Sequence, residues 1–209
     1  MSKQEQCSDA PIMELPLTEW TPSESATPNI AEALERGEVL HLPHLHFPLT
    51  EEEQKLLDPR LVSPKRKNIS YRPEENRFRG VSDEATEAES AALKALLERY
   101  HRATVSLITH LVPHYKGKLK GAMNTLRLNA IDEWSESHSF RKDDRRLHLD
   151  AFPSRPLHGE RIIRIFNNIN PHGDPRSWRV GEPFPQLVKR LLPRVKPYSA
   201  LGSHLLNLL

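Results

Sequence analysis

Apolar side chains recur at three- and four-residue intervals between residues 82 and 112, and this spacing predicts the longest helix of the chain. Pro113 follows directly and predicts the helix end, because proline cannot continue the backbone hydrogen bonding. We interpret this segment as a packing helix that carries no chemistry. Its apolar face comprises Leu93, Leu96, Leu97, Tyr100, Val105, Leu107 and Leu111.

Two shorter helices and one strand are predicted before the long helix. The pattern IAEALERG at residues 30–37 is helical, and its final residue, Gly37, stands where a helix C-cap is expected. Residues 38–47 alternate apolar and polar side chains as a strand does, but Pro43 interrupts them. Thr50, followed by three glutamates, predicts a second helix start, because a hydroxyl cap and early acidic residues both suit that end.

The second half of the chain changes from helical to alternating patterns. Residues 125–131, 146–152 and 161–169 each alternate apolar and polar side chains, as half-buried strands do. The polar, proline-rich connections between them are typical of antiparallel strands rather than of strand–helix–strand units. The expected fold class is therefore α+β, with helices first and a β core second.

Two amphipathic helical segments close the sequence, at residues 184–195 and 199–209. The final letters LLNLL would leave apolar side chains exposed unless something covered them. We therefore expect the chain to be truncated at its C-terminus.

Composition and charge exclude several classes of protein. The net charge of +2 is too small to argue for nucleic acid binding, and no zinc-finger, RNA-recognition or helix-turn-helix signature is present. Cys7 is the single cysteine, so no internal disulfide can form, which favours a reducing compartment. No apolar run approaches the ~20 residues of a membrane span, and the N-terminus lacks a secretory signal. These features predict a cytoplasmic protein.

His148 and Asp150 form the short motif with the clearest chemistry. On a strand, residues two apart project to the same face, so one imidazole and one carboxylate can reach a single metal ion. Such a pair supplies two ligands of the 2-His-1-carboxylate facial triad, which holds Fe(II) and leaves coordination positions open. A three-residue match occurs often by chance, and a polar pair on a sheet face is the alternative.

The sequence around this motif resembles the Kdo hydroxylases over residues 123–171. The matching elements, in order, are the RLN strand at residues 127–129 and the block HLDAFPSRPLHGERIIRIFNNINP at residues 148–171. Members of this family are iron- and 2-oxoglutarate-dependent enzymes that hydroxylate 3-deoxy-D-manno-oct-2-ulosonic acid (Kdo), a sugar of bacterial lipopolysaccharide, at its C3. The resemblance is dense over the central quarter of the chain and thinner over the N-terminal helices.

The resemblance implies a double-stranded β-helix, or jelly-roll, core with helices on its outside. It implies Fe(II) as the cofactor, with 2-oxoglutarate and O2 as co-substrates, and it matches His148 and Asp150 to the family's first two iron ligands. Asn129 is then a candidate to hydrogen-bond 2-oxoglutarate. Arg127 and Arg155 are candidates to pair with a carboxylate or phosphate of the sugar substrate, because a guanidinium fork suits oxyanions.

The family's second iron-binding histidine lies beyond the matched block. After residue 171 the chain offers only His172 and His204, and neither matches the family position. The simplest explanation is truncation, which predicts a catalytically inactive relative or an incomplete barrel with unpaired edge strands.

Together these patterns predict an extended N-terminal arm over residues 1–28 and a single oxygenase domain over residues 29–209. Within that domain the packing helix occupies residues 82–112 and the core motif strands occupy residues 123–171. The expected partner is a Kdo-containing lipid A precursor, reached by peripheral contact with the cytoplasmic face of the inner membrane, and no nucleic acid partner is expected.

Three alternatives stay open from the sequence. A non-catalytic jelly-roll module could bind anionic glycolipid surfaces through basic clusters at residues 65–67 and 116–120. A cupin-like, sugar-binding barrel would keep the fold and lack iron. A second metal site is conceivable at His41, His44 and His46, although a proline breaks their alternation.

Overall fold

The architecture is mixed helix and sheet, as predicted, with helix-rich segments preceding most of the polar, motif-bearing sequence. The computed structural model describes residues 12–22, 29–129, 146–148, 157–176, 180–195 and 199. In chain order the elements are β1 (Ile12–Glu14), α1 (Ile30–Arg36), β2 (Val39–His41), α2 (Glu51–Gln54), β3 (Ile69–Arg72), β4 (Arg77–Arg79), α3 (Glu87–Leu111), β5 (Asn124–Leu126) and α4 (Phe184–Leu191). Short 3-10 turns occupy Pro59–Leu61, Pro73–Glu75, Pro113–Tyr115 and Leu192–Arg194.

Helix α3 is the predicted long helix, and it begins five residues later than Ser82. Its N-cap is Thr86, whose hydroxyl accepts a hydrogen bond from the backbone N–H of Glu89 at 3.2 Å. The carboxylate of Glu89 accepts in return from the backbone N–H of Thr86 at 2.8 Å, which completes a capping box. This reciprocal pair fixes the start of the helix more strongly than the apolar pattern indicated. The helix ends at Leu111, before the predicted breaker Pro113.

Helix α3 contributes to two hydrophobic clusters, one along each half of its length. Leu93, Leu96 and Leu97 pack against the three-stranded sheet in the first cluster. Leu107, Ile108 and Leu111 pack against the N-terminal elements in the second. Trp20 lies against both clusters, so the two halves form one continuous interior.

Strands β3, β4 and β5 form an antiparallel sheet in the order β4–β3–β5. Ile69 and Tyr71 of β3 and Leu126 of β5 are buried against α3 in the first cluster. Because side chains alternate across a strand, the intervening polar residues project from the opposite side of the sheet. The sheet therefore has an apolar inner face and a polar outer face.

The N-terminal segment and the predicted strand after α1 pair with each other. β1 and β2 form a parallel two-stranded sheet in which Met13 is opposite Leu40. Leu15, which follows β1, is buried in the second cluster. Helix α1 ends at Gly37, which has a positive φ of 85° and donates to carbonyl oxygens of the last turn. The glycine C-cap was thus correctly predicted.

The predicted strands of the second half are confirmed only in part. The first is shorter than predicted, because β5 covers Asn124–Leu126. Residues 146–148 are in no strand, and residues 149–152 lie outside the described part of the chain. Residues 161–169 are in no strand either, so the prediction of a strand at these residues was wrong.

The alternation in residues 161–169 has a different physical origin from sheet pairing. Ile165 packs on the second cluster and Ile169 on the first, while Phe166 between them is exposed. An extended segment lying on a helical core shows the same apolar period as a strand, although no described strand pairs with it. Helix α4 confirms the first of the two predicted C-terminal helices. None of the described helices is both long and apolar enough to cross a bilayer.

Candidate functional site

The outer face of the three-stranded sheet concentrates positive charge. The strand register places Ser70 opposite Arg79 on one side and opposite Thr125 on the other. Arg72 is opposite Arg77 in the same ladder. All these side chains project away from α3, because their neighbours along each strand are the ones that enter the core. We define the outer face as Asn68, Ser70, Arg72, Arg77, Arg79, Thr125 and Arg127.

Arg127, predicted to bind an oxyanion, lies at the end of this face beside Asn68. Ile69 is opposite Leu126 in the β3–β5 ladder, so Asn68 and Arg127 are the next facing pair. The Nε atom of Arg127 donates a hydrogen bond to Oδ1 of Asn68 at 3.1 Å, and both residues are half-buried. The Nη1 atom of the same guanidinium is also buried.

Gly80, which follows β4, lies close to the backbone of Asn68. A Cβ atom at position 80 would lie 2.3 Å from the carbonyl oxygen of Asn68, and Gly80 has a positive φ of 91°. Only glycine allows both the conformation and the close approach at this position. A larger residue at position 80 would therefore push against the backbone of Asn68.

The other arginines of the outer face differ in their partners. Glu75 lies in the turn between β3 and β4, and its two carboxylate oxygens contact Arg72 at 3.0 Å and Arg77 at 2.8 Å. One acidic residue thus offsets the repulsion of a like-charged pair across the ladder. The side chain of Arg79 is exposed and forms no hydrogen bond or ion pair within the described residues. Neither Asn68 nor Arg79 was singled out from the sequence.

His148, the predicted iron ligand, is exposed, and its ring makes one local hydrogen bond. The Nδ1 atom lies 2.7 Å from the carbonyl oxygen of Arg146. Because a carbonyl oxygen only accepts, Nδ1 carries the proton, and the lone pair of the neutral ring is on Nε2. Metal-binding histidines are commonly oriented by such a bond to the second nitrogen. Asp150 and Arg155 lie outside the described residues, while Asn129 is half-buried two positions after Arg127.

The alternative metal site in the first half of the chain has no support. His41, His44 and His46 are all exposed, and His41 contacts Glu14 at 3.4 Å. Among the residues that the structure describes, no three potential ligands are grouped closely enough to hold a metal ion. Asp150 lies outside those residues.

The segment that follows the predicted motif is anchored to the helical part of the chain. Arg161 donates to the backbone carbonyls of Leu34 and Glu35 at the end of α1 and contacts the Glu35 carboxylate. Tyr115 also donates to that carboxylate, and this bond is the main reason that the pKa of Glu35 is lowered. A cation beside the last carbonyls of a helix is favourable because they carry partial negative charge.

A second anchor holds the same segment at its centre. The hydroxyl of Tyr100 on α3 donates to the carbonyl oxygen of Ile165 at 3.2 Å. Burial raises the pKa of Tyr100 to about 12, so the phenol is a neutral donor near neutral pH. The side chain of Asn167 also donates to the carbonyl oxygen of Leu45 at 3.3 Å. These bonds position residues 161–169 on the helical framework.

Comparison with known proteins decides the family. Residues 18–209 match the family model described as 3-deoxy-D-manno-oct-2-ulosonic acid (Kdo) hydroxylase. This chain belongs to the Kdo hydroxylase family. The family match includes all five predicted site residues and both anchors of the motif-bearing segment.

Solved structures of the Kdo hydroxylase KdoO are similar to this chain. The cobalt(II) complex of KdoO, described as a non-heme Fe(II) alphaketoglutarate dependent dioxygenase, has a TM-score of 0.82 and 43% sequence identity. The apo structure of KdoO has a TM-score of 0.81 and 43% sequence identity to this chain. The complex with alphaketoglutarate and Fe(III) has a TM-score of 0.80 and 42% sequence identity. The matches cover 95% of this chain but only 66%, 66% and 65% of those chains. No curated protein gave a match.

Sequence patterns identified some of the candidate site residues and missed others. His148, Asp150 and Arg155 lie in the dense motif block, which is recognisable by its letters alone. Asn68 and Arg79 lie in residues 63–80, which look like an irregular basic turn. The available signal was the hairpin pattern ISYR–PEEN–RFR, in which two short alternating runs flank a proline-led turn.

Proposed function

We propose that this chain is an Fe(II)- and 2-oxoglutarate-dependent dioxygenase that hydroxylates the Kdo sugar of a lipid A precursor at C3. The observation that carries the proposal is the family match over residues 18–209. The similarity to KdoO, with a TM-score of 0.82, supports it. The chain spans about two thirds of the KdoO chains, at 66%, so the activity of the whole protein is part of the proposal.

The proposed fold of the catalytic part is the jelly roll of the family. In this proposal the described three-stranded sheet and helix α3 pack on the outside of that jelly roll. The proposed setting is the cytoplasm, with peripheral contact at the inner membrane, where a Kdo-bearing lipid A precursor is exposed. The proposal includes no nucleic acid partner. The net charge of +2 is too small to suggest such a partner.

His148 and Asp150 are the proposed iron ligands. The hydrogen bond from Nδ1 to the Arg146 carbonyl leaves Nε2 as the coordinating atom of the imidazole, which is the donor type that Fe(II) takes in facial-triad sites. His148 is exposed, so its ring is accessible to an ion. Bound iron would supply the oxidative chemistry that couples decarboxylation of 2-oxoglutarate to hydroxylation of the sugar.

The remaining proposed roles are those of orientation. Asn129 is proposed to hydrogen-bond 2-oxoglutarate, while Arg127 and Arg155 are proposed to pair with a carboxylate or phosphate of the sugar substrate. For Arg127, the bond to Asn68 supports this role, because it fixes the plane of the guanidinium before a ligand arrives. A prearranged fork loses less side-chain entropy when it binds an oxyanion.

The test is an anaerobic titration of the purified chain with Fe(II) and 2-oxoglutarate, followed by the visible charge-transfer band of the chelate. We expect a band that is lost in His148→Ala and kept in His172→Ala, a matched change at another exposed histidine. A band that survives His148→Ala would contradict the ligand assignment. A folded chain that gives no band but binds a Kdo glycolipid would be a non-catalytic module.

A further inference from the structure

Helix α4 and the turn that follows it carry an apolar stripe that is largely exposed in the described part of the chain. The stripe residues recur at three- and four-residue intervals, which places them on one side of a helix. No side chain of α4 is buried, and none belongs to the two hydrophobic clusters of the described residues. Exposed apolar surface of this kind marks an interaction site. The exposed fractions are 61% for Phe184, 40% for Leu191, 63% for Leu192 and 56% for Val195, and the half-buried members are Leu187 and Val188.

The opposite side of α4 is positively charged. Gln186, Lys189 and Arg190 lie there by helical spacing, and Arg194 follows in the turn. Arg190 contacts the carboxylate of Glu182. The side chains of Lys189 and Arg194 are exposed and form no ion pair with the described residues. An anionic lipid bilayer matches both properties of the segment, because it has an apolar interior beneath a negatively charged surface.

Helix α4 begins close to the proposed iron ligand. Leu147 precedes His148, and a Cβ atom added at Gly181 would lie 3.8 Å from a side-chain carbon of Leu147. Gly181 is three residues before Phe184, the first residue of α4. Leu147 is itself 63% exposed, so exposed apolar surface continues next to the motif. A bilayer that contacts the stripe would therefore lie beside the place where a lipid-linked sugar reacts.

We propose that residues 184–195 form a membrane-docking surface, which inserts the apolar stripe into an anionic bilayer and sets its cations against the lipid phosphates. The inference rests on the proposed function, since a lipid A precursor is a bilayer component and its sugar must reach the iron from that surface. Two helical turns and one 3-10 turn bury too little apolar area to hold a protein in a membrane alone. Docking is therefore reversible and needs both the stripe and the cations.

The test is cosedimentation of the whole chain with lipid vesicles. Vesicles of phosphatidylcholine and phosphatidylglycerol are compared with vesicles of phosphatidylcholine alone. We expect binding to the anionic vesicles that weakens at high salt, because screening reduces the attraction between exposed charges. Leu191→Gln should weaken this binding about fivefold or more, since one leucine leaves the apolar layer. Val105→Gln on α3 is the matched control, because Val105 is 39% exposed and Leu191 is 40% exposed.

A second pair of variants tests the cations. Lys189→Gln removes a charge beside the stripe, and Lys116→Gln removes an exposed charge from the basic cluster at residues 116–120. We expect a loss of about fivefold for Lys189→Gln alone, the contribution of one cation near an anionic surface. Equal losses for the two lysine variants would indicate attraction by net charge without α4 and would overturn the docking surface. Equal losses for Leu191→Gln and Val105→Gln would overturn it as well.

Other occupants of the stripe would give different results. If a second copy of the chain covered it, the chain would sediment as a dimer that Leu191→Gln dissociates, and the vesicles would not be bound. A chain that stays monomeric and binds neither kind of vesicle would also overturn the proposal.

The iron titration separates this inference from the proposed catalysis. Leu191→Gln and Lys189→Gln should keep the charge-transfer band, since neither residue is a proposed iron ligand. A chain without a band that binds anionic vesicles through α4 retains the docking surface and loses the oxygenase assignment. A chain with a band whose vesicle binding ignores both α4 variants retains the oxygenase assignment and loses the docking surface.

Discussion

Asn68 and Arg127 face each other across the β3–β5 ladder, and the Asn68 side-chain oxygen accepts a hydrogen bond from Nε of Arg127 at 3.1 Å. We predict that Asn68→Ala frees the Arg127 side chain to rotate and weakens Kdo binding about three- to tenfold, in line with one lost hydrogen bond. The measurement is calorimetric titration with free Kdo. Ser70→Ala, on the same face of the same strand, is the matched control.

A double-mutant cycle distinguishes positioning from a general structural effect. If Asn68 acts through Arg127, then Asn68→Ala added to Arg127→Gln should cause no further loss of affinity. Additive losses would contradict the positioning role. The variant Asn68→Asp keeps the acceptor oxygen but adds a negative charge beside Arg127, so it should weaken binding of the anionic sugar at least as much as Asn68→Ala.

Gly80 is predicted to be the least replaceable glycine of the sheet. In Gly80→Ala the new methyl group would lie 2.3 Å from the Asn68 carbonyl oxygen, so the strand must shift. Gly117→Ala is the control, because Gly117 also has a positive φ, 75°, but has nothing within 4 Å of the added atom. We expect Gly117→Ala to lower the free energy of unfolding by about 1 kcal/mol and Gly80→Ala by clearly more. Urea denaturation measures both, and equal losses would contradict the close approach.

The capping box of α3 is predicted to weaken in acid. The hydrogen bond from Arg60, followed by the bonds from Thr86, lowers the pKa of Glu89 from 4.5 to about 2. A carboxyl group with a lowered folded-state pKa stabilises the fold above its ordinary pKa and loses that contribution as the pH falls toward the lowered value. The difference in unfolding free energy between wild type and Glu89→Gln should therefore be full at pH 6 and shrink between about pH 4.5 and pH 2.

The control for this pH series is Glu87→Gln, which changes another acidic residue of the same helical turn. It removes a similar interaction with the helix N-terminus but leaves the bond between Arg60 and Glu89 in place. The lowered pKa of Glu89 would be contradicted if the difference in unfolding free energy between wild type and Glu89→Gln stayed constant down to pH 2.5.

Tyr100 is predicted to hold the segment of residues 161–169 on the long helix. Tyr100→Phe removes the donor to the Ile165 carbonyl and should cost about 1 kcal/mol of stability. Hydrogen exchange followed by mass spectrometry should become faster in peptides from this segment, with little change in α3. Tyr71→Phe is the control, since Tyr71 is buried on the inner sheet face and its hydroxyl makes no hydrogen bond to residues 161–169. Equal acceleration in both variants would argue for a general loosening.

Local signals in the sequence predicted the helices well. The cap residues Gly37 and Thr50 both mark helix ends in the structure, and α3 has its apolar face where the leucine spacing indicated. These features depend on residues within one or two turns of each other, so the sequence contains them directly.

The nonlocal features could not be predicted in the same way. Asn68 and Arg127 are 59 positions apart, and their proximity depends on a strand register that alternation does not specify. In residues 161–169 the alternation of apolar and polar residues indicates which side chains are buried. It does not indicate whether they pack against a neighbouring strand or against a helix. Recognition of the motif block identified the family, while Asp150 and Arg155 lie outside the described residues and their roles stay predictions.

Helix α3 belongs to both hydrophobic clusters, and Trp20 contacts each of them. Neither cluster can lose its packing while the helix stays in place, because one continuous backbone carries the buried leucines of both. Heat or denaturant should thus melt the helical framework in a single cooperative transition rather than in two steps. A substitution that destabilises the cluster at the sheet, where the arginines lie, would then also destabilise the cluster formed with the N-terminal elements, about 25 to 30 Å away along the helix axis.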